Sequence, residues 1–156
     1  MHYHRAMESV NALDPDIVRE VEASCVCMRV QRAGRALGRF YDEAFRPLNL
    51  TNWQFSLLTA VGGSGAATVT ELAALLGTDR TTMTRNLRVL ERRGLLTMGP
   101  DDRDGRIRRA FLTSEGHGLF LKALDRWRVV NDATKARIPA ATLPTVWAAF
   151  ERIAQP

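Results

Sequence analysis

Residues 68–113 read TVTELAALLGTDRTTMTRNLRVLERRGLLTMGPDDRDGRIRRAFLT, and the rest of the chain is organised around them. A short apolar helix over residues 71–76 meets a glycine-containing turn, Gly77-Thr78-Asp79. A longer helix of different character follows, from about residue 80 to residue 93. Its Met83, Leu87 and Leu90 fall at i, i+4 and i+7 and predict one buried face, while Thr81, Thr82, Thr84, Arg85 and Arg88 occupy the other sides. Gly94 ends it. Two short strands, residues 95–98 and 107–112, are joined by GPDDRDG, a turn composition. Helix, tight turn, second helix and β-hairpin predict a helix-turn-helix with a wing.

The charge agrees. Between residues 80 and 109 stand nine arginines (80, 85, 88, 92, 93, 103, 106, 108 and 109) against Glu91, Asp101, Asp102 and Asp104. That local excess equals the formal charge of the whole chain, +5, so the remainder sums to zero. Basic charge gathered on an exposed helix and hairpin is the footprint of a polyphosphate partner. Of the 22 basic residues only Lys122 and Lys135 are Lys. Arg offers bidentate hydrogen bonds to phosphate or guanine, which Lys does not.

At 156 residues and 46% hydrophobic content, the chain fits one domain or two closely packed lobes with an ordinary core. Two Cys make no disulfide framework. The opening MHYHRAMESV has no apolar run behind its basic residue, so no signal peptide is expected. No segment reaches the roughly 18 uninterrupted apolar residues of a membrane span. A cytoplasmic protein without a membrane partner is the expectation.

Along the chain, residues 1–14 read as a loose arm in which His2 and His4 are solvated rather than metal-bound. Asp14-Pro15 is a helix entry. One long helical pattern runs from residue 16 to about residue 46, with an apolar stripe (Val18, Val21, Cys25, Met28, Ala36, Phe40, Ala44) and a basic one (Arg29, Arg32, Arg35, Arg39). A helix that long in a small domain is expected to bury its apolar stripe against a partner subunit. Pro47-Leu48-Asn49-Leu50 breaks it, and Thr51 or Asn52 caps a helix over residues 53–61. Gly62-Gly63-Ser64-Gly65 reads as a flexible loop. Thr70 and a Thr68-x-x-Glu71 capping box compete as the entry to the next helix, whose Leu72, Leu75 and Leu76 should face inward. Thr78 or Asp79 caps the second helix of the pair. After the wing, Thr113 caps a helix ending near Lys135, its first turn weakened by Gly116 and Gly118. Pro139 breaks the chain again, and a last helix over residues 141–154 carries Leu143, Val146, Trp147, Phe150 and Ile153 on one face. The predicted fold class is mainly α with a small β-hairpin wing. Its parts are residues 1–46 (arm and dimerisation helix), 47–113 (winged helix-turn-helix) and 114–156 (C-terminal dimerisation helices).

The second helix of such a pair lies in the major groove. Thr81, Thr82 and Thr84 are short enough to let it sit deep and to bond phosphate oxygens or touch a thymine methyl. Arg85 and Arg88 reach guanine or backbone, and Thr70, at the start of the first helix, joins the contact set. The wing carries Arg103, Arg106 and Arg108 toward the duplex, where a narrow minor groove attracts Arg. Asp104 beside them is suited to hold an Arg in position by a charge-assisted bond.

The segments ELAALLGTDRTTMTRNLRVLERRGLL and DDRDGRIRRAFLTSEG resemble the MarR family of bacterial transcriptional regulators. The second fits the family's D-x-R wing signature running into L-T-x-x-G, here Asp104-Gly105-Arg106 and Leu112-Thr113-Ser114-Glu115-Gly116. FYDEAFRPLNLTNWQFSLL looks like the family's first-to-second-helix region, so the resemblance spans nearly the whole chain. It implies a homodimer built from the terminal helices, binding a palindromic operator, usually as a repressor. It implies Arg106 as the minor-groove residue of the wing, Asp104 as its positioning partner, and Arg85 with the threonines as recognition-helix contacts. It also implies release from DNA by a small aromatic or phenolic effector in a crevice whose candidate lining residues are Met28, Arg32, Phe40, Trp53 and Trp127. One branch of the family senses peroxides through a Cys near the start of its first helix, which makes Cys25 a redox candidate. Cys25 and Cys27, two apart on one helix, are expected to point to nearly opposite sides and not to bond.

Two further classes compete. No HExxH, Cys/His metal spacing, GxSxG or phosphate-cradling glycine loop occurs, so neither an enzyme nor a cofactor is expected. A winged helix that contacts protein rather than DNA is the other alternative.

Overall fold

The computed structural model describes residues 13–101 and 104–155, and the chain divides into two compact units, residues 1–38 and 39–156. The first unit opens with α1 (Pro15–Ser24), where the Asp14 carboxylate accepts the Asp16 N–H at 2.8 Å and Pro15 fills the first turn. The second helix, α2 (Val26–Phe45), starts in the first unit and ends in the second. The apolar stripe predicts one helix over residues 16–46; the structure has two. They part at Cys25, whose ψ of 107° is extended. Ser24-Cys25-Val26-Cys27 is a run of weak helix formers, and there local preference prevails over the longer period. The backbone groups freed by the break find partners nearby. Cys25 Sγ accepts the Met28 N–H at 3.4 Å, and the Arg29 guanidinium donates to the Ala23 carbonyl at 2.6 Å. The two thiols therefore do not share a helix, and both are free.

In the second unit, a 3-10 turn (Arg46–Leu48) leads to α3 (Asn52–Ser64). Thr51 caps α3, with Gln54 completing a reciprocal box. The helix continues through Gly62 and Gly63, which the sequence reading assigned to a loop. A Cβ at Gly62 would lie 3.0 Å from Leu112 Cδ1, so this glycine serves close helix–strand packing instead. A two-residue strand, β1 (Ala67–Thr68), precedes α4 (Val69–Leu75) and α5 (Arg80–Arg92). The wing strands are β2 (Leu96–Pro100) and β3 (Arg108–Leu112), and the antiparallel sheet has the order β1-β3-β2. Next come α6 (Ser114–Lys135), a 3-10 turn (Ala140–Thr142) and α7 (Leu143–Ala154).

The core of this unit lies among α3, α4, α5, the sheet and the first half of α6. Phe45, Leu57, Leu58, Val61, Leu72, Met83, Leu87, Leu90 and Leu96 are its largest fully buried side chains among the described residues. Phe55 stacks on Phe45 (centroids 4.7 Å apart) and on Phe120 (5.5 Å), tying the end of α2 to α3 and α6. Met83, Leu87 and Leu90 form the buried face that their spacing predicts. Leu75 does not follow its prediction: it is 67% exposed, because α4 ends there and its inward positions are Leu72 and Ala73. On α7, Trp147, Phe150 and Ile153 are 45–56% exposed and the helix buries no residue.

Candidate nucleic-acid interface

Both helices of the reader are entered through side-chain caps. Of the two competing frames for α4, the structure uses the box: the Thr68 hydroxyl accepts the Glu71 N–H at 3.2 Å and Glu71 accepts the Thr68 N–H at 2.7 Å. Thr70 is thereby released to the surface. Asp79 caps α5 by accepting the Thr82 N–H at 2.8 Å. The Thr68 N–H holds the Glu71 carboxyl below the usual range, with Arg109 adding to it, and the Thr82 N–H does the same for Asp79. Both groups have depressed folded values, so their stabilisation is complete above the unfolded carboxylate range and is lost as pH falls through the folded values. Melting temperature is therefore expected to hold down to about pH 5 and to drop below about pH 4, with a shallower acid drop for Glu71→Gln combined with Asp79→Asn. An equal acid drop in that variant, followed by circular dichroism melts, would remove these caps from the account.

The outer side of α5 faces a cleft of about 550 Å³ that the first turn of α4 and the wing close from either side. Thr70, Thr84, Arg88, Arg106 and Arg108, all predicted contact residues, line it together. Arg80 lines it too. The contacts expected from sequence leave Arg80 out, although 80, 84 and 88 share one helical face. Thr81 and Arg85 are exposed on the adjoining face of α5, and Thr82 is half-buried. The Thr84 hydroxyl donates to the Arg80 carbonyl at 2.8 Å, so its lone pairs are what it presents outward. Glu91, at the end of the same face, accepts the Met98 N–H at 3.3 Å and joins α5 to the wing.

The wing turn corrects one expectation. Asp104 does bond Arg106, but through the backbone: its Oδ1 accepts the Arg106 N–H at 3.0 Å, while its own N–H donates to Asp101 Oδ1 at 3.0 Å. The carboxylate shapes the turn that presents Arg106 rather than gripping the guanidinium. Arg106 is exposed. The Arg108 guanidinium donates to the Met98 carbonyl across the hairpin. Arg103 lies outside the described residues, as do His2 and His4.

The five residues predicted for an effector crevice lie in both units. Met28 and Arg32 are exposed on α2 in the first. In the second, Phe40 carries the Arg137 guanidinium 4.1 Å above its ring, and Trp127 stacks 6.5 Å from Phe55. Trp53 packs against the core, and its buried Nε1 has no hydrogen-bond partner among the described residues.

Residues 48–107 match the model of the MarR family. The chain is also similar to the M. tuberculosis transcriptional regulator MosR, solved in complex with DNA, at 39% identity and a TM-score of 0.76, covering 84% of this chain and 94% of that one. The chain belongs to the MarR family. CouR from Rhodococcus jostii RHA1, solved bound to p-coumaroyl-CoA, shares the fold at 22% identity and a TM-score of 0.77, with 86% of this chain and 94% of that one covered. The HTH-type transcriptional regulator YybA of Bacillus subtilis is 29% identical over 86 residues, 55% of this chain, and the match spans 57% of that relative's length. As a MarR-family member the chain is a DNA-binding transcriptional regulator with a winged helix-turn-helix, and its fold is the expected one with a third short strand added. No helix among the described residues is long and apolar enough to cross a membrane.

Proposed function

We propose that this MarR-family chain binds a two-fold-symmetric operator as a homodimer and acts as a repressor in the cytoplasm. The observation that carries the reading is the shared cleft: Arg80, Thr84 and Arg88 on α5 stand opposite Arg106 on the wing turn, so one rigid frame offers cations to neighbouring grooves. In this reading Thr81, Thr82, Thr84, Arg85 and Arg88 meet the major groove, Thr70 a phosphate, and Arg106, with Arg103 and Arg108, the adjacent minor groove. Dimerisation is supported by the uncovered apolar residues on α7 and on α1, where Ile17 and Val21 are also exposed. Complete burial of a fully exposed large apolar side chain is worth about 1.5–3 kcal/mol, so covering these half-exposed ones gains about half of that each.

The deciding experiment is duplex binding by anisotropy across a salt titration, with mass measured in parallel. A dimer whose affinity falls steeply with salt is expected, because each neutralised phosphate releases counterions. A flat response would favour a protein-binding winged helix, and a stable monomer would remove the paired-site geometry.

For release, the second unit offers a cavity of about 400 Å³ among α3, α4 and α6, lined by Phe55, Phe120 and Trp127 with Asn52, Ser56 and Thr59 as its polar groups. No charged side chain lines it, so a flat, neutral aromatic or phenolic effector fits best. A second reading, thiol sensing, is favoured by one observation: Cys25 is the break residue and its sulfur holds the Met28 N–H. Oxidation by a hydroperoxide, which forms a sulfenic acid and releases water or an alcohol, would alter that contact. Cys25→Ser is expected to leave DNA binding unchanged. If peroxide releases the parent from DNA but not this variant, the thiol is the sensor; if it releases neither, the small-molecule reading stands alone.

A further inference from the structure

We propose that Arg109 is the positioning residue that sets the pose of the wing against the first helix of the reader, an inference that rests on the DNA-binding reading above. By sequence Arg109 belongs to the basic cluster, one of nine arginines counted toward a polyphosphate partner. The structure turns it the other way. Arg109 pairs with Thr68 of β1 on one side and Gly99 of β2 on the other, in the middle strand of the sheet. Successive side chains of a strand point to opposite faces. Arg108 accordingly lines the cleft beside α5, while Arg109 lines the opposite groove with Asp101 and Asp104.

Its guanidinium is committed to three acceptors on three segments. Nε donates to the Asp101 carboxylate at the end of β2, and Nη1 donates to the Ala66 carbonyl at 3.0 Å and to Glu71 Oε2 at 3.3 Å. The side chain is only 25% exposed. Both carboxylate acceptors have a second task. Glu71 Oε2 also accepts the Thr68 N–H that starts α4. Asp101 Oδ1 accepts the Asp104 N–H, and Asp104 Oδ1 accepts the Arg106 N–H. An unbroken series of polar contacts thus runs from the first turn of α4 through Arg109, Asp101 and Asp104 to the backbone of Arg106. Arg109 supplies the guanidinium at its centre, and a planar fork is what lets one side chain hold three fixed acceptors. Without it, the wing turn keeps its internal bonds and β3 its pairing with β1, but the side-chain link from the turn to the first turn of α4 is lost.

The test is a double-mutant cycle on the full chain, reading duplex affinity, its salt slope and melting temperature for the parent, Arg109→Lys, Arg106→Ala and the double variant. Lys keeps the charge but not the fork, so a change in salt slope cannot come from a deleted cation. Arg109→Lys is expected to bind roughly tenfold more weakly per half-site, with a slope reduced by about one phosphate per half-site, as Arg106→Ala is. The double variant should be no weaker than Arg106→Ala alone to within about twofold, because the two act through one contact. Losses that add would mean that Arg109 meets DNA independently, and parent-like binding by Arg109→Lys would mean that it positions nothing; either result overturns the proposal. If Arg109→Lys fails to fold, Asp101→Asn breaks the same tie from the other side and must show the same non-additivity with Arg106→Ala. A parent protein that ignores duplex DNA overturns the DNA-binding reading itself, and this inference with it.

Discussion

Gly116→Ala is expected to destabilise the second unit by about 2–4 kcal/mol, near the upper end of what overpacking costs. A Cβ built on Gly116 would stand 1.8 Å from the Leu95 carbonyl oxygen and 2.8 Å from its carbon. Both are backbone atoms, so no rotamer change relieves the overlap. Leu95 is itself 3% exposed and leads directly into β2, while its carbonyl accepts the Thr113 N–H at 3.3 Å. Moving it disturbs the wing and the cap of α6 together. The Gly116 N–H also donates to the Thr113 hydroxyl at 3.0 Å, and a capping bond is worth about 1 kcal/mol. Against this stands the better helix propensity of Ala, about 1 kcal/mol, which is too small to compensate. Gly118→Ala is the control. It lies two residues further along the same helix with nothing within 4 Å of its added Cβ, and it should be neutral or slightly stabilising. Thermal melts of the two variants decide the point: if Gly116→Ala melts where Gly118→Ala does, the close approach of α6 to β2 is not as tight as it stands here.

That contact gives the Leu-Thr-x-x-Gly signature its physical content: the threonine caps α6 and the glycine lets α6 pass the strand. The threonine's role follows from the sequence, because a cap is a local device. The glycine's does not, because its neighbour is a carbonyl 21 positions earlier, and sequence alone read Gly116 as a weak point in the helix. The same division holds elsewhere. The caps at Asp14 and Thr113 and the Met83, Leu87, Leu90 face were legible, and those at Thr51 and Asp79 to within one residue, since each depends on residues within two turns. The break at Cys25 was not: a stripe at helical spacing continues across it while four weak helix formers undo it locally. The orientation of Arg109 was not legible for a third reason. Which face of β3 points into the cleft depends on β1, and two residues carry no period of their own. Asp104 was placed beside the correct arginine, but a carboxylate two residues before an N–H closes a turn more readily than it reaches a long flexible side chain.

Replacing Arg85 and Arg88 together by Ala is expected to weaken operator binding by about 10²–10⁴-fold, the largest effect on function anticipated for this chain. Both side chains are exposed on α5, three residues apart, and so stand one turn above each other on the helix proposed to enter the major groove. An Arg that pairs with a base edge contributes about 1–3 kcal/mol of discrimination. The proposed dimer would carry each substitution twice on one operator, which roughly doubles the loss when both half-sites are engaged. Shared neighbours on one helical turn make the two losses less than additive, which sets the upper limit. The fold should not suffer, because neither residue belongs to the buried face, and Ala is the better helix former. What the two arginines touch is decided by comparing specific with random duplex at fixed salt. Contacts to bases weaken the specific complex and leave random duplex nearly unchanged, whereas contacts to phosphates lower both alike and flatten the salt slope. Parent-like affinity for the operator in this double variant would take α5 out of the groove and leave the wing as the site of contact.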